Sequence, residues 1–153
     1  MTDHWAWGIS RTILDESRHH AFDPLLVLAV IAVESGFQDT AASAEGARGL
    51  MQIQPYVARA LAEQWRSLYR TDKHLIEELP NLDDPTVNIK LGVFYLHSLK
   101  KSFPDLKLAL TAYNRGPTEV KNRLAEEEVV PLEYAMRVLS TYQSYRRDTR
   151  QAD

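Results

Sequence analysis

Residues 29–55 read AVIAVESGFQDTAASAEGARGLMQIQP, and they place a charge where the pattern says core. The ten positions from Pro24 to Val33 are almost wholly apolar and end in a carboxylate, Glu34. Asp23-Pro24 reads as an N-cap followed by a proline in the first helical turn. The helix it opens is apolar on nearly every face, which assigns it to an interior, and it ends near Glu34-Ser35-Gly36. A loop of small residues follows, then a second apolar turn carrying Gln52 and Gln54.

Two effects disfavour an ionised Glu34. Desolvation raises the pKa of a carboxyl group. The C-terminal end of a helix also carries partial negative charge, so a carboxylate in the last turn sits at the wrong pole. Both favour a protonated acid near neutral pH, the state required of a general acid. A capping or salt-bridged glutamate after a core helix has the same local sequence, and structural pairs also perturb carboxyl groups. The surroundings point towards chemistry. ASAEGARG supplies two glycines and several small side chains, allowing backbone and a bulky ligand to approach closely. Ser43 and Gln52 add neutral hydrogen-bonding groups suited to a sugar or an amide.

Outward from this stretch the chain reads as helices joined by short loops. Trp5, Ile9 and Ile13 form one apolar stripe over 5–18, and Val57, Leu61, Trp65 and Leu68 form another after Pro55. Residues 70–84 are polar and turn-rich, a connector. Asp84-Pro85 repeats the cap-plus-proline signal, Pro104-Asp105 starts LKLALTAYN, and Gly116-Pro117 stops it. A short helix over 118–127 carries Val120 and Leu124. A last helix begins near Pro131, with Leu132, Ala135, Met136, Leu139 and Tyr142 on one face and a frayed tail over 146–153. No alternating strand, repeat or low-complexity segment occurs, so the expected fold is a single all-α domain over 1–153.

The chain has 153 residues, enough for one sizeable core. A net charge of −3 gives no electrostatic basis for nucleic acid or an anionic membrane as the main partner. There is no cysteine, which excludes disulfides and thiolate metal sites. His19-His20, His74 and His97 lack a metal-ligand spacing, so neither metal nor cofactor is expected. The N-terminus shows no signal-peptide pattern, and the longest apolar run is short of the about 20 residues that span a bilayer. Tyr113 and Asn114 end a helix just before the Gly-Pro stop. Tyrosine offers a flat face to a sugar ring and a hydroxyl to a carboxylate, although spacing alone reads Tyr113 first as a core residue.

Taken in order, ESGF, ASAEGARGLMQIQP, NIKLGVFYL and AYNRGP resemble the catalytic domain of the soluble lytic transglycosylases, the goose-lysozyme-like branch of the lysozyme fold, over residues 22–145. The resemblance implies cleavage of the β-1,4 bond between N-acetylmuramic acid and N-acetylglucosamine in peptidoglycan without hydrolysis, leaving a 1,6-anhydro sugar. The catalytic glutamate of that family falls on Glu34, with no partner carboxylate required, unlike the usual pair of a glycosidase. The resemblance further implies that Ser35 orients the surroundings of the glutamate and that Ser43 contacts an N-acetyl group. Gly49, Leu50, Met51 and Gln52 would form the groove wall, Gln52 bonding the saccharide. Tyr113 and Asn114 would line the site, and Tyr134 would hydrogen-bond Glu34, with Tyr142 as its competitor. It also implies peptidoglycan strands as the partner, a monomer, and a periplasmic or cell-envelope location.

The sequence departs from the family pattern at several points. Ala44 stands where a proline is frequent, Glu45 where a small residue is expected, and Gln54 where a methionine often precedes the motif proline. Arg115 follows Tyr-Asn in place of a small residue, and Val130-Pro131 replaces a Glu-Thr pair. Two other readings stay open. One is a lysozyme-like muramidase or β-1,4-glycan hydrolase in which Asp39 or Glu45 serves as base. The other is a glycan-binding scaffold without catalysis.

Overall fold

The computed structural model of the chain describes residues 3–68 and 80–151, with backbone only at 63 and 65–68. Among the described residues there are seven helices: α1 (Asp3–His19), α2 (Pro24–Ser35), α3 (Pro55–Leu68), α4 (Pro85–Ser102), α5 (Leu106–Arg115), α6 (Pro117–Ala125) and α7 (Glu133–Gln151). The side chains of Trp65 and Leu68, His74 and most of the connector lie outside the described residues.

The caps explain where three of the helices begin. The Asp23, Asp84 and Asp105 side chains accept from the backbone amides of Leu25, Val87 and Lys107 at 2.9, 3.0 and 2.8 Å, satisfying donors that a helix start leaves open. Gly36 ends α2 in the left-handed conformation, φ 57°, and donates to Ala32 O. α2 packs against α1 and α7, α4 against α1 and α5, and α5 against α6 and α7. Val27, Val30 and Ile31 of α2, Ile89, Leu91 and Leu96 of α4, Leu110 of α5 and Val138 of α7 share one buried core. The all-apolar α2 is therefore interior, as its composition requires.

α7 differs from the sequence expectation in two ways. Its buried side carries Tyr134, Ala135 and Val138, whereas Met136 is exposed. The stripe through Leu132, Ala135, Leu139 and Tyr142 is bordered on one side by 136 and on the other by 138, and α2 covers the second. The helix also continues to Gln151, through residues expected to fray. In this segment the Arg146 guanidinium lies 5.6 Å from the centroid of the Tyr142 ring, one turn back. In α6 Val120 is buried and Leu124 is exposed.

Between α2 and α3 the chain forms a compact loop with two isolated antiparallel bridges, Ala42 with Arg48 and Arg48 with Ile53. The fully buried Asn88 of α4 clamps it. Its Oδ1 accepts from Met51 N at 2.8 Å, and its Nδ2 donates to Arg48 O at 2.8 Å and Leu82 O at 3.0 Å. Two glycines make this approach geometrically feasible. Gly49 has φ 76°, and a Cβ there would lie 2.3 Å from Asn88 Nδ2 and 2.8 Å from Leu82 O. A Cβ at Gly92 would lie 2.8 Å from Met51 Cβ.

Two substitutions test this clamp by chemical denaturation. Asn88→Ala leaves Met51 N, Arg48 O and Leu82 O without their partner and is expected to cost about 2–4 kcal/mol. Gly49→Ala combines a positive φ with a collision against backbone and amide, and is expected to cost about 3 kcal/mol or more.

Candidate active site

Glu34 occupies the last turn of α2, where α7 crosses it. Tyr134 Oη donates to Glu34 Oε1 at 2.5 Å. Burial raises the Glu34 carboxyl above its ordinary value, opposed by the Tyr134 hydrogen bond and by the nearby charge of Arg137. Burial is the largest of the three influences, because taking a carboxylate from water removes its main source of stabilisation. The Tyr134 and Tyr113 hydroxyls are pushed far up, mainly by burial and next by the charge of Glu34, so both remain O–H donors.

Tyr142 is elsewhere. Its hydroxyl donates to Asp23 Oδ2 at 2.7 Å, at the opposite end of α2. Tyr134 at Glu34 and Tyr142 at Asp23 mean that α7 runs antiparallel along α2.

A cleft of about 300 Å³ opens beside Glu34, lined also by Ser43, Glu45, Gln52, Gln54, Tyr56, Tyr95, Tyr113 and Asn114. Its floor is the clamped loop. Tyr113 Oη donates to Met51 O at 2.8 Å, and the Tyr95 ring lies 5.3 Å from that of Tyr113. Ser35 Oγ donates to Leu50 O at 2.8 Å, tying the end of α2 to the same loop. Gln52 holds a left-handed φ of 49°, fixed by its Nε2 donating to Ala41 O and Gly49 O, both at 3.0 Å. Ser43 Oγ accepts from Ala47 N at 3.1 Å.

The structure thus brings Glu34, Ser43, Gln52, Tyr113 and Asn114 to one cleft and sets Tyr134 beneath Glu34. It separates three residues expected in the groove wall. Gly49, Leu50 and Met51 are buried, and Leu50 and Met51 are core side chains. Their contribution is a rigid backbone behind the wall, because the loop must bury its apolar groups to sit against α4. Ser35 likewise acts on the loop and not in the cleft.

Tyr56 and Tyr95 line the cleft without having been singled out by sequence. Tyr95 stands in NIKLGVFYL, where it reads as one more apolar core residue, and burial followed by the proximity of Tyr56 pushes its hydroxyl up to about 12. Asn88 stood in the same block, and the only cue to it was a polar residue four before a glycine on an apolar helix. Among the described residues no group of three or more His, Cys, Asp or Glu side chains could hold a metal ion, and no helix is long and apolar enough to cross a membrane.

Known proteins share this arrangement of sequence and fold. The profile of the family described as "Transglycosylase SLT domain" matches residues 11–131. The chain is 32% identical over 108 residues to a transglycosylase of Enterobacteria phage PRD1, covering 71% of this chain and 35% of that protein. It is 36% identical over 95 residues to the endo-type membrane-bound lytic murein transglycosylase A of Klebsiella pneumoniae, covering 62% and 38%. Among solved structures it is similar to the 70 kDa soluble lytic transglycosylase of Escherichia coli, with a TM-score of 0.75 and 24% identity over 91% of this chain and 24% of that one. It is also similar to an inactive glutamate-to-glutamine mutant of the lytic transglycosylase Slt of Pseudomonas aeruginosa, with a TM-score of 0.61 and 26% identity over 87% and 21%. The chain spans well under half the length of each of these relatives. With a family match across most of its residues, the chain belongs to the SLT transglycosylase domain family.

Proposed function

We propose that this domain is a peptidoglycan lytic transglycosylase, cutting the β-1,4 bond between N-acetylmuramic acid and N-acetylglucosamine with Glu34 as its one acid and base. The observation that carries the reading is the half-buried Glu34 carboxyl beside a cleft, held by Tyr134 and raised in pKa. The names of the relatives, lytic murein transglycosylases, support the substrate, and the inactive glutamine mutant of the Pseudomonas protein fits a catalytic glutamate. A substrate of this kind supports a cell-envelope location.

In the first step the Glu34 carboxylic acid gives its proton to the glycosidic oxygen as the bond to C1 of the muramoyl residue breaks. The resulting carboxylate then takes the proton of the C6 hydroxyl as O6 bonds to C1. No water is consumed, and Glu34 returns to its acid form. The Tyr134 hydrogen bond serves the second state, in which Glu34 is anionic, while burial serves the first. Ser43, Asn114 and the Oε1 end of Gln52 would hold the sugar hydroxyl and N-acetyl groups with the Tyr113 ring beside them, since the Gln52 amide nitrogen and the Tyr113 hydroxyl are engaged by the loop.

A hydrolase would need a second group to activate water. Asp39 does not line the cleft. Glu45 does line it, which keeps hydrolysis as the second reading.

Mass spectrometry of soluble products from purified peptidoglycan separates the two. Anhydro products lie about 18 Da, one water, below their hydrolytic counterparts. They are expected from the wild-type protein and are expected to fall about 10²–10⁴-fold with Glu34→Gln. Reducing-end products in their place would reassign the domain to hydrolysis, and a folded wild-type protein yielding no product would favour a scaffold.

The pH profile tests the pairing with Tyr134. Catalysis begins with protonated Glu34, so activity declines as pH rises through the raised pKa. Tyr134→Phe removes an interaction that lowers this pKa, so the basic limb of kcat/KM against pH is expected to move to higher pH. The optimum rate is expected to drop about tenfold or more as the anionic state loses its hydrogen bond. An unchanged basic limb would separate Glu34 from that limb.

A further inference from the structure

Glu45 is an exposed carboxylate on the cleft lining. Asp15, Asp83, Glu119 and Glu128 each have an arginine within ion-pair distance. Among the described residues Glu45 has no such partner and no hydrogen bond. Among the described residues none of the side chains lining the cleft is a Lys, Arg or His. Ser43, Gln54 and Tyr56, which line the same cleft, are neutral. A Cβ at Gly46 would lie 3.9 Å from Gln54 Oε1, so the 43–47 loop faces Gln54. Tyr56, 57% exposed, presents its ring to the same space. Glu45 and Gln54 are also two of the positions at which this sequence departs from the pattern of its family.

An uncompensated carboxylate repels the carboxylates of a peptidoglycan stem and attracts a cation, and an exposed tyrosine face adds to that attraction. We propose that Glu45, with Tyr56 and Gln54 beside it, forms a subsite for a primary ammonium group on the glycan substrate, making this domain selective for amine-bearing strands. The amine has two chemical sources, the C2 amine of a glucosamine that lacks its acetyl group and the side-chain amine of a diamino acid in the stem peptide. The inference rests on the reading of the cleft as a glycan site, and it deepens that reading by naming what part of the strand is selected.

Binding measured by calorimetry tests it in the Glu34→Gln background, where no bond is cut. Three probes are compared: peptide-free glycan strands fully N-acetylated, the same strands partly N-deacetylated, and fully N-acetylated strands carrying stems with a side-chain amine. At least one amine-bearing probe is expected to bind about five- to tenfold tighter than the acetylated strand, with the advantage shrinking at high salt. The advantage is expected to vanish with Glu45→Gln, and the probe that carries it identifies the source of the amine. Equal affinities for all three probes, or an advantage that survives Glu45→Gln, would overturn the subsite while leaving the glycan reading standing. Failure of every probe to bind would overturn both. Anhydro products released by the wild-type protein from fully acetylated strands judge the proposed reaction separately.

Discussion

The backbone of residues 48–51 lies in no helix or strand and is paired only through isolated bridges at Arg48, yet side chains from three helices hold its polar groups. Asn88 of α4 takes Arg48 O and Met51 N, Tyr113 of α5 takes Met51 O, and Ser35 of α2 takes Leu50 O. The arrangement follows from a general constraint: a buried backbone amide or carbonyl costs free energy unless it is paired. A loop pressed into the core has no ladder to satisfy it, so amide and hydroxyl side chains do so. The cleft floor is rigid because moving it would break several of these bonds together, and Gly49 and Gly92 are needed because the backbones and side chains come too close for a Cβ.

The same fastening sets the electrostatics of Glu34. Ser35 anchors the end of α2 to the loop, and the antiparallel α7 covers its other side, so the carboxyl lies half-buried between them. Burial raises its pKa, and Tyr134 and Arg137 pull in the opposite direction. An acid that must give and then take a proton is served by this opposition, since neither protonation state is stabilised at the full expense of the other. Tyr113 links the two systems: its hydroxyl holds the loop, and its ring faces the cleft beside Glu34.

Much of this was legible in the sequence. The all-α architecture followed from apolar periodicity and from Asp-Pro caps, which are local chemistry and act the same way in any context. The anomaly of Glu34 was visible because a charge at the end of an apolar helix conflicts with its surroundings, and such a conflict marks a place where stability is not the only requirement. The roles of Leu50 and Met51 were not legible. They adjoin a site residue in sequence, yet which positions of a tight loop turn to the core and which to the cleft depends on the helices packed against it. Met136 was misplaced because a helical stripe has two borders, and only the packing of α2 decides which one is covered.

By itself, then, the sequence determined which segments are helical, where the capped ones start, and which carboxyl is out of place, because capping, periodicity and side-chain polarity act within a few residues. Only the tertiary structure decided which tyrosine meets Glu34. Tyr134 and Tyr142 lie on the same helix near its buried face, and the antiparallel course of α7 along α2 sends one to Glu34 and the other to Asp23. It alone gave Asn88 its clamp and brought Glu45 and Tyr56 to one cleft. These are contacts between residues distant along the chain, and their energies depend on burial and direction that no local pattern carries.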